Sequence, residues 1–259
     1  MAEADLNGAG VMLTRPRHQT AELAAEIERR GGRVFVFPAL EIVGRAPAHV
    51  AADAAALLPP DISVFISRNA VDHGLAWGAG KIAAIGPATA SAIEASGKTA
   101  DILPGGGFDS EALLAEPALH DVAGKVIRII RGDAGRELLA RTLTERGATV
   151  DYLATYERRM PEHPPTLLAE IENRWRDGGI AAVVSMSVFS LRNLAAILPG
   201  WCHEQLAQTP LVTPSTRVLK EAQNRYPGCP VLLAVGPRSS DIADAVAAAV
   251  GGHDAPGTH

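Results

Sequence analysis

The sequence contains only two cysteines, Cys202 and Cys229, among 259 residues. They form no C-x-x-C pair and no zinc spacing, which points to two ordinary thiols rather than a disulfide or a metal centre. The eight histidines are scattered, with no His-x-His and no H-E-x-x-H, so no metal is expected. Aromatic residues make up 4% of the chain, and 24 basic residues against 29 acidic ones leave a formal net charge of −5. No basic stripe interleaved with aromatics exists, so nucleic acid is not an expected partner. No stretch reaches the roughly 18 uninterrupted apolar residues of a membrane span. The opening "MAEADLNGAG" has neither the basic flank nor the apolar core of a secretion signal, so no membrane contact and a cytoplasmic location are expected.

Common catalytic and nucleotide signatures are missing as well. Gly97-Lys98-Thr99 imitates the end of a phosphate loop, but Ala92 stands where that loop needs glycine, and here the glycine ends a helical pattern instead of starting one. "GAGKIA" (78–83) is a weak dinucleotide fingerprint that precedes its strand when it should follow it. No G-x-S-x-G is found.

What the chain does contain is an internal repeat, and 47% hydrophobic residues are enough for two buried cores. "GVMLTRPRHQTAELAAEIERRGGRVFVFPALEIV" (10–43) reads as strand, loop, helix, Gly-Gly and an extended run. Set against "KVIRIIRGDAGRELLARTLTERGATVDYLATYERR" (125–159) at one constant offset, Arg15 falls on Arg131, Leu23 on Leu139, Ile27 on Leu143, Gly31 on Gly147 and Val34 on Val150. Further along, Ser67 aligns with Ser187, Thr89 with Thr216 and Ser110 with Ser240, with the offset growing as the second copy's loops lengthen. Each copy holds four strand-to-helix units in one order, which predicts parallel sheets covered by helices on both faces. The two polar ends are expected to be disordered. A boundary between copies would fall near residue 121, yet "RVFVFPALEIV" (33–43) and "TVDYLATYERR" (149–159) occupy equivalent points and could be central strands or connectors. Periodicity alone leaves that choice open.

Ligands of such sheets bind beyond the carboxyl ends of the strands, where helix N-termini point their N–H groups outward. Those places carry Thr14-Arg15, Ser67-Arg68-Asn69, Gly86 to Thr89 and Gly105 to Ser110 in one copy, and Arg131-Gly132-Asp133, Ser187, Thr213 to Thr216 and Ser239-Ser240 in the other. Thr89 and Thr216 have an ordinary explanation as helix caps. Their recurrence in both copies also fits binding, and the two roles are compatible for a hydroxyl. Facing one another across a cleft, such rows of neutral donors would suit a ligand with several carboxylates or phosphates. Tyr156 lies on the second extended segment, either packed on a strand or, being protonated at neutral pH, able to give a proton to a leaving oxygen.

Taken in order, "LTRPRHQTAELAAEIERRGGRVFVFPALEI", "VFISRNAV", "IAAIGPATASAIEASG", "GGFDSEALL", the 124–143 stretch and "ATYERR" resemble the uroporphyrinogen-III synthase family over residues 10–250. The resemblance implies two similar parallel-sheet α/β lobes joined by a two-stranded linker: residues 1–35 with 159–259 as one lobe, 43–149 as the other, and 34–42 and 150–158 as linker strands. It implies a cofactor-free reaction in which hydroxymethylbilane loses water, its last pyrrole ring is inverted through a spiro intermediate, and the ring closes as uroporphyrinogen III. By similarity Tyr156 assists departure of the hydroxyl, while Thr89, Thr216, Ser67, Ser187, Gly86, Arg15 and Arg131 contact substrate carboxylates. A monomer is implied, with the upstream bilane-producing deaminase as a transient partner. The sequence departs from the family where "VTPSTR" puts Thr213 in place of the usual glycine. A two-lobed protein that binds a small polyanion without chemistry is the alternative reading.

Overall fold

A computed structural model describes residues 5–107, 109–133 and 137–251. In chain order, β1 (Gly10–Leu13), α1 (Ala21–Arg29) and β2 (Arg33–Val36) come first. They are followed by β3 (Glu41–Gly44), α2 (Pro47–Ala55), β4 (Ile62–Phe65), α3 (Arg68–Gly74), β5 (Lys81–Ala84), α4 (Pro87–Ala95), α5 (Ser110–Leu114), β6 (Val126–Gly132), α6 (Leu138–Glu145) and β7 (Thr149–Arg159). The chain ends with α7 (Pro165–Arg176), β8 (Ala182–Val184), α8 (Val188–Ile197), α9 (Gly200–Gln208), β9 (Leu211–Thr213), α10 (Thr216–Arg225), β10 (Val231–Leu233) and α11 (Ser239–Gly251). The chain divides into two compact units, one built from the segments up to Glu41 and from Arg159 onward, the other from Ile42–Arg158.

The first unit holds a sheet ordered β10-β9-β8-β1-β2, and the strand pairs within it are parallel. Val11, Leu13, Val184 and Val212 pack on one face beneath Leu23, Ile27, Ile242 and Val246. Met12, Val183 and Leu211 pack on the other with Ile171, Leu191 and Val218. Strands apolar on both faces are what a helix-covered parallel sheet requires. Leu6, in the N-terminal stretch expected to be disordered, is 1% exposed and belongs to the first of these cores. Residues 1–4 and 252–259 of the two ends lie outside the described residues.

The second unit carries the sheet β3-β7-β6-β4-β5, in which β5, β4, β6 and β7 pair in parallel. A fourth strand of this copy is reduced to a single bridge, Ala83 to Ile102. The extended run expected over 33–43 is interrupted: β2 ends at Val36 and β3 begins at Glu41. Pro38 lies between them, with no N–H to give to a ladder. Within the two stretches expected as linkers, Val34–Val36 pair with Val11–Leu13 and Val150–Tyr156 pair along β6.

One repeated feature has a direct conformational cause. Gly31 follows the C-cap of α1 at φ +77° and Gly147 follows that of α6 at φ +87°. Both helices end in the left-handed turn that glycine adopts without penalty, which is why the aligned glycines recur.

Candidate functional site

In each sheet the chain order reverses at one point. In the second unit it runs from β4 outward to β5 and from β6 outward to β7, so the reversal falls between β4 and β6. In the first unit it falls between β1 and β8. Ligands of open α/β sheets bind in the crevice at such a point, outside the carboxyl ends. Ser67 follows β4 and Arg131 is the next-to-last residue of β6; Ser187 follows β8 and Arg15 follows β1. Four of the residues singled out in the sequence therefore flank the two reversal points, one serine and one arginine at each.

Ser67 and Ser187 are helix caps. The Ser67 Oγ accepts from the Ala70 N–H at 3.1 Å, and the Ser187 Oγ accepts from the Ser190 N–H at 3.0 Å. Thr89 and Thr216 are not, contrary to expectation. The N-cap of α4 is Gly86, because Pro87 takes the first helical position and leaves Thr89 in the first turn. The N-cap of α10 is Ser215, and Thr216 is the first helical residue. Neither helix has a side-chain cap bond. Thr89 is buried at 3% exposure and Thr216 is exposed, so the aligned pair sits in different surroundings. Gly86 is buried with extended backbone at φ −179°, a conformation open to any residue. Thr213, where the resemblance led to an expected glycine, is fully buried and closes its own turn: its Oγ1 accepts from the Ser215 N–H at 3.2 Å. Phe108, inside the Gly105 to Ser110 turn, lies outside the described residues.

Arg131 is 8% exposed and lines a cavity of about 240 Å³ with Ile66, Ile85, Ser110, Ile129 and Leu139. An adjoining cavity of about 430 Å³ is lined by Arg131, Arg45, Glu137 and Tyr152. The Arg131 guanidinium lies 4.4 Å from the Tyr152 ring centroid, and its Nη1 donates to Glu137 Oε1 at 3.3 Å. Tyr152 donates its hydroxyl to Glu137 Oε2 at 2.6 Å. That bond, ahead of the charge of Arg131, holds the Glu137 carboxyl below its ordinary range. Burial, with the same bond second, pushes the Tyr152 hydroxyl up to about 12. Sequence reasoning missed Tyr152 and Glu137, whose only signal was their nearness to Arg131 in the chain. In the other unit, burial lowers the Arg15 pKa from its ordinary value while the charge of Glu22 opposes the shift.

Tyr156 is buried at 3% exposure in a core cluster with Phe65, Ile130 and Leu153. Its hydroxyl meets the Ser67 Oγ at 3.1 Å, joining residues 89 positions apart. The ring centroid of His73 lies 5.9 Å from that of Tyr156. Of the eight residues singled out, this is the pair joined by a bond between side chains, while the Thr89 N–H donates to the Gly86 carbonyl at 3.0 Å within the first turn of α4. Among the described residues no group of three or more His, Cys, Asp or Glu side chains is placed to hold a metal ion. No helix among them is long and apolar enough to cross a membrane.

Comparison with known proteins adds a name to this geometry. A family model described as uroporphyrinogen-III synthase HemD matches residues 21–246. The uroporphyrinogen-III synthase of Salmonella typhimurium strain LT2 is 32% identical over 213 residues, covering 75% of this chain and 82% of the relative. That of Escherichia coli K12 is 31% identical over 224 residues, covering 82% and 90%. In fold, the chain is similar to uroporphyrinogen-III synthetase from Helicobacter pylori 26695, at a TM-score of 0.60 and 11% identity over 88% of this chain and 93% of that one. It is also similar to a mutant uroporphyrinogen III synthase from Thermus thermophilus, at a TM-score of 0.55 and 19% identity over 90% and 96%. Each of these proteins is described as a uroporphyrinogen-III synthase or synthetase. The mixed α/β architecture with two parallel sheets is thus that of known synthases, and the chain belongs to the uroporphyrinogen-III synthase family, cyclising enzymes of tetrapyrrole biosynthesis.

Proposed function

We propose that the chain converts hydroxymethylbilane to uroporphyrinogen III, with Tyr156 as general acid and the strand-end donors as carboxylate ligands. The hydrogen bond between Tyr156 and Ser67 is the observation that carries the assignment of roles. In the first step the bond between the terminal methylene and its hydroxyl oxygen breaks, and the electron pair leaves with the oxygen. The Tyr156 proton completes a water molecule, while the lone pair of the adjoining pyrrole nitrogen fills the vacancy at carbon. The last ring's substituted α-carbon then attacks that carbon to give the spiro intermediate, its old bond to the neighbouring methylene bridge breaks, and the freed bridge carbon bonds to the ring's other α-carbon, which loses one proton and restores the phenol.

The remaining task is conformational. An electrophile of this kind reacts with whichever ring carbon is nearest, so the enzyme must hold the chain so that the last ring's substituted carbon, and not its free one, is presented first. Ser67, Thr89, Gly86, Arg131, Ser187, Thr216 and Arg15 are the proposed contacts. Hydroxyls and backbone N–H groups suit an acidic protein, because they bind carboxylates without fixed positive charge. The matching strand order of the two sheets supports an origin by internal duplication, with connectors crossing near residues 41–42 and 158–159. The same reading takes the protein as a cytoplasmic monomer that meets the bilane-producing deaminase transiently.

Supplying the purified protein with fresh hydroxymethylbilane and separating the porphyrin isomers tests the activity. The type III isomer is expected without added cofactor, and its absence would reject the reading. Tyr156→Phe is expected to slow cyclisation about 100-fold, within the usual range for a lost general acid, while weakening product binding far less. Equal turnover in variant and wild type would remove Tyr156 from the mechanism and leave the activity standing.

A further inference from the structure

The aim of the Tyr156 ring is set by its neighbours more than by its own strand. Along β6 and β7 the register runs evenly from Val126 opposite Thr149 to Arg131 opposite Ala154, and then Gly132 faces Tyr156, skipping Thr155. Leu153 and Tyr156 are three residues apart, a spacing that puts side chains on opposite faces of a regular strand. Both nevertheless belong to one core cluster, because the extra residue of the bulge turns Tyr156 back to the face of Leu153. Bulges re-aim side chains in this way, and they are common beside active sites.

What the bulge turns toward is a glycine with no room for a side chain. A Cβ on Gly132 would lie 2.6 Å from Cε2, 2.9 Å from Cζ and 3.1 Å from Cδ2 of Tyr156. Ordinary contacts between carbons fall near 3.5–4 Å, so even a methyl group would push the phenol by about 1 Å. The far end of the ring is fixed by the Ser67 Oγ at 3.1 Å, and that oxygen already accepts the Ala70 N–H. A hydroxyl has one donor and two acceptor sites. With one acceptor site taken, Ser67 can turn its own O–H to the Tyr156 oxygen, which leaves the phenolic proton free for the substrate and steadies the phenolate that forms.

We propose that Gly132 and Ser67 are positioning residues that together aim the Tyr156 phenol at the departing hydroxyl: Gly132 by offering a bare backbone for the ring, Ser67 by its hydrogen bond. The proposal rests on the general-acid reading of Tyr156, and the test is arranged so that the two fail differently.

Turnover of hydroxymethylbilane, the share of type III product and thermal stability are measured for wild type, Gly132→Ala, Tyr156→Phe and the double variant. A displacement of about 1 Å costs on the order of 100-fold in rate. Gly132→Ala should therefore lower kcat by about that factor with KM nearly unchanged. In the Tyr156→Phe background the same change should alter kcat by less than about twofold, because the group being aimed is gone, while its cost in Tm persists, since a phenyl ring fills the same space. Additive rate losses, or full activity of Gly132→Ala beside a slow Tyr156→Phe, would overturn the role of Gly132. Full activity of Tyr156→Phe itself would overturn the general-acid reading and the proposal with it. Should Gly132→Ala fail to fold, Ser67→Ala supplies the same cycle without added bulk: kcat should fall about 10-fold with Tyr156 present and by less than about twofold in the Tyr156→Phe background, restored in part by Ser67→Thr, while any rise in KM from the lost carboxylate contact is the same in both backgrounds.

Discussion

Two kinds of hydroxyl at the strand ends look alike as residues and differ in surroundings. Ser67 is bonded twice, to a backbone N–H and to Tyr156, whereas the Oγ1 of Thr155, one residue before Tyr156, is buried with no hydrogen-bond partner among the described residues. A buried hydroxyl left unpaired costs about 1–3 kcal/mol, so the same shape without the oxygen should be at least as stable. Thr155→Val is expected to leave Tm unchanged or raise it, by up to about 1 kcal/mol in unfolding free energy, and a clear loss would mean that the hydroxyl has a partner after all. At this scale the sequence was only partly legible. A serine or threonine at a strand-to-helix junction is easy to recognise, but which one is the half-in residue depends on its neighbours. Pro87 moves the cap of α4 back to Gly86, and Ser215 takes the cap of α10 ahead of Thr216. The Ser67–Tyr156 bond and the fit of Gly132 beneath the ring are contacts between distant residues that no local pattern encodes.

Among the secondary-structure elements, α8 separates capping from binding most cleanly. Its N-terminus is held by the Ser187 Oγ, which accepts the Ser190 N–H. Ser187→Ala should lower stability by about 1 kcal/mol, the usual cost of a lost cap. Ser187→Asp keeps an acceptor at the cap, so stability should recover, but it sets a carboxylate where the substrate's own carboxylates are proposed to bind. KM should then rise several-fold, and the rise should shrink with added salt as the repulsion is screened. A KM that follows stability instead would assign Ser187 to the helix alone. Element types and order were legible because helix and strand periods differ and because glycine ends α1 and α6 in the same way. The break at Pro38 and the reduction of a fourth strand to the Ala83–Ile102 bridge were not, since strand length depends on what a neighbouring strand offers.

Ion pairs tie helices of the first unit together and shape the molecule's response to acid. Arg30 at the C-cap of α1, with a side chain 3% exposed, pairs with both Glu26 and Asp244, the latter in α11, and Arg192 in α8 pairs with Glu221 in α10. Hydrogen bonds from Arg29 and Arg30 hold Glu26 below its ordinary pKa, and those from Arg192 and Arg238 do the same for Glu221 and Asp241. A carboxyl depressed in the folded state binds fewer protons there than in the unfolded chain, so its contribution is present above the unfolded value, near pH 4, and is lost as pH falls through the folded one. Tm should be nearly flat from pH 7 to about 5 and fall below about 4.5, less steeply in Glu26→Gln. A Tm that rises on acidification would contradict this. The units themselves make a sharper claim. A repeat shows which strands correspond but not which strands pair, and pairing decides cooperativity. Met12 and Leu13 pair with Val183 and Val184, while Val64 and Ile129 pair with each other in the other sheet. Amides held in one sheet open together, however far apart they lie in the chain. Native-state hydrogen exchange across a denaturant series should therefore give Leu13 and Val184 one shared opening free energy, and Val64 and Ile129 another. If Leu13 instead exchanged as readily as a fraying end while Val184 stayed protected, the N-terminal strand would not be an integral part of the sheet completed by the C-terminal segment.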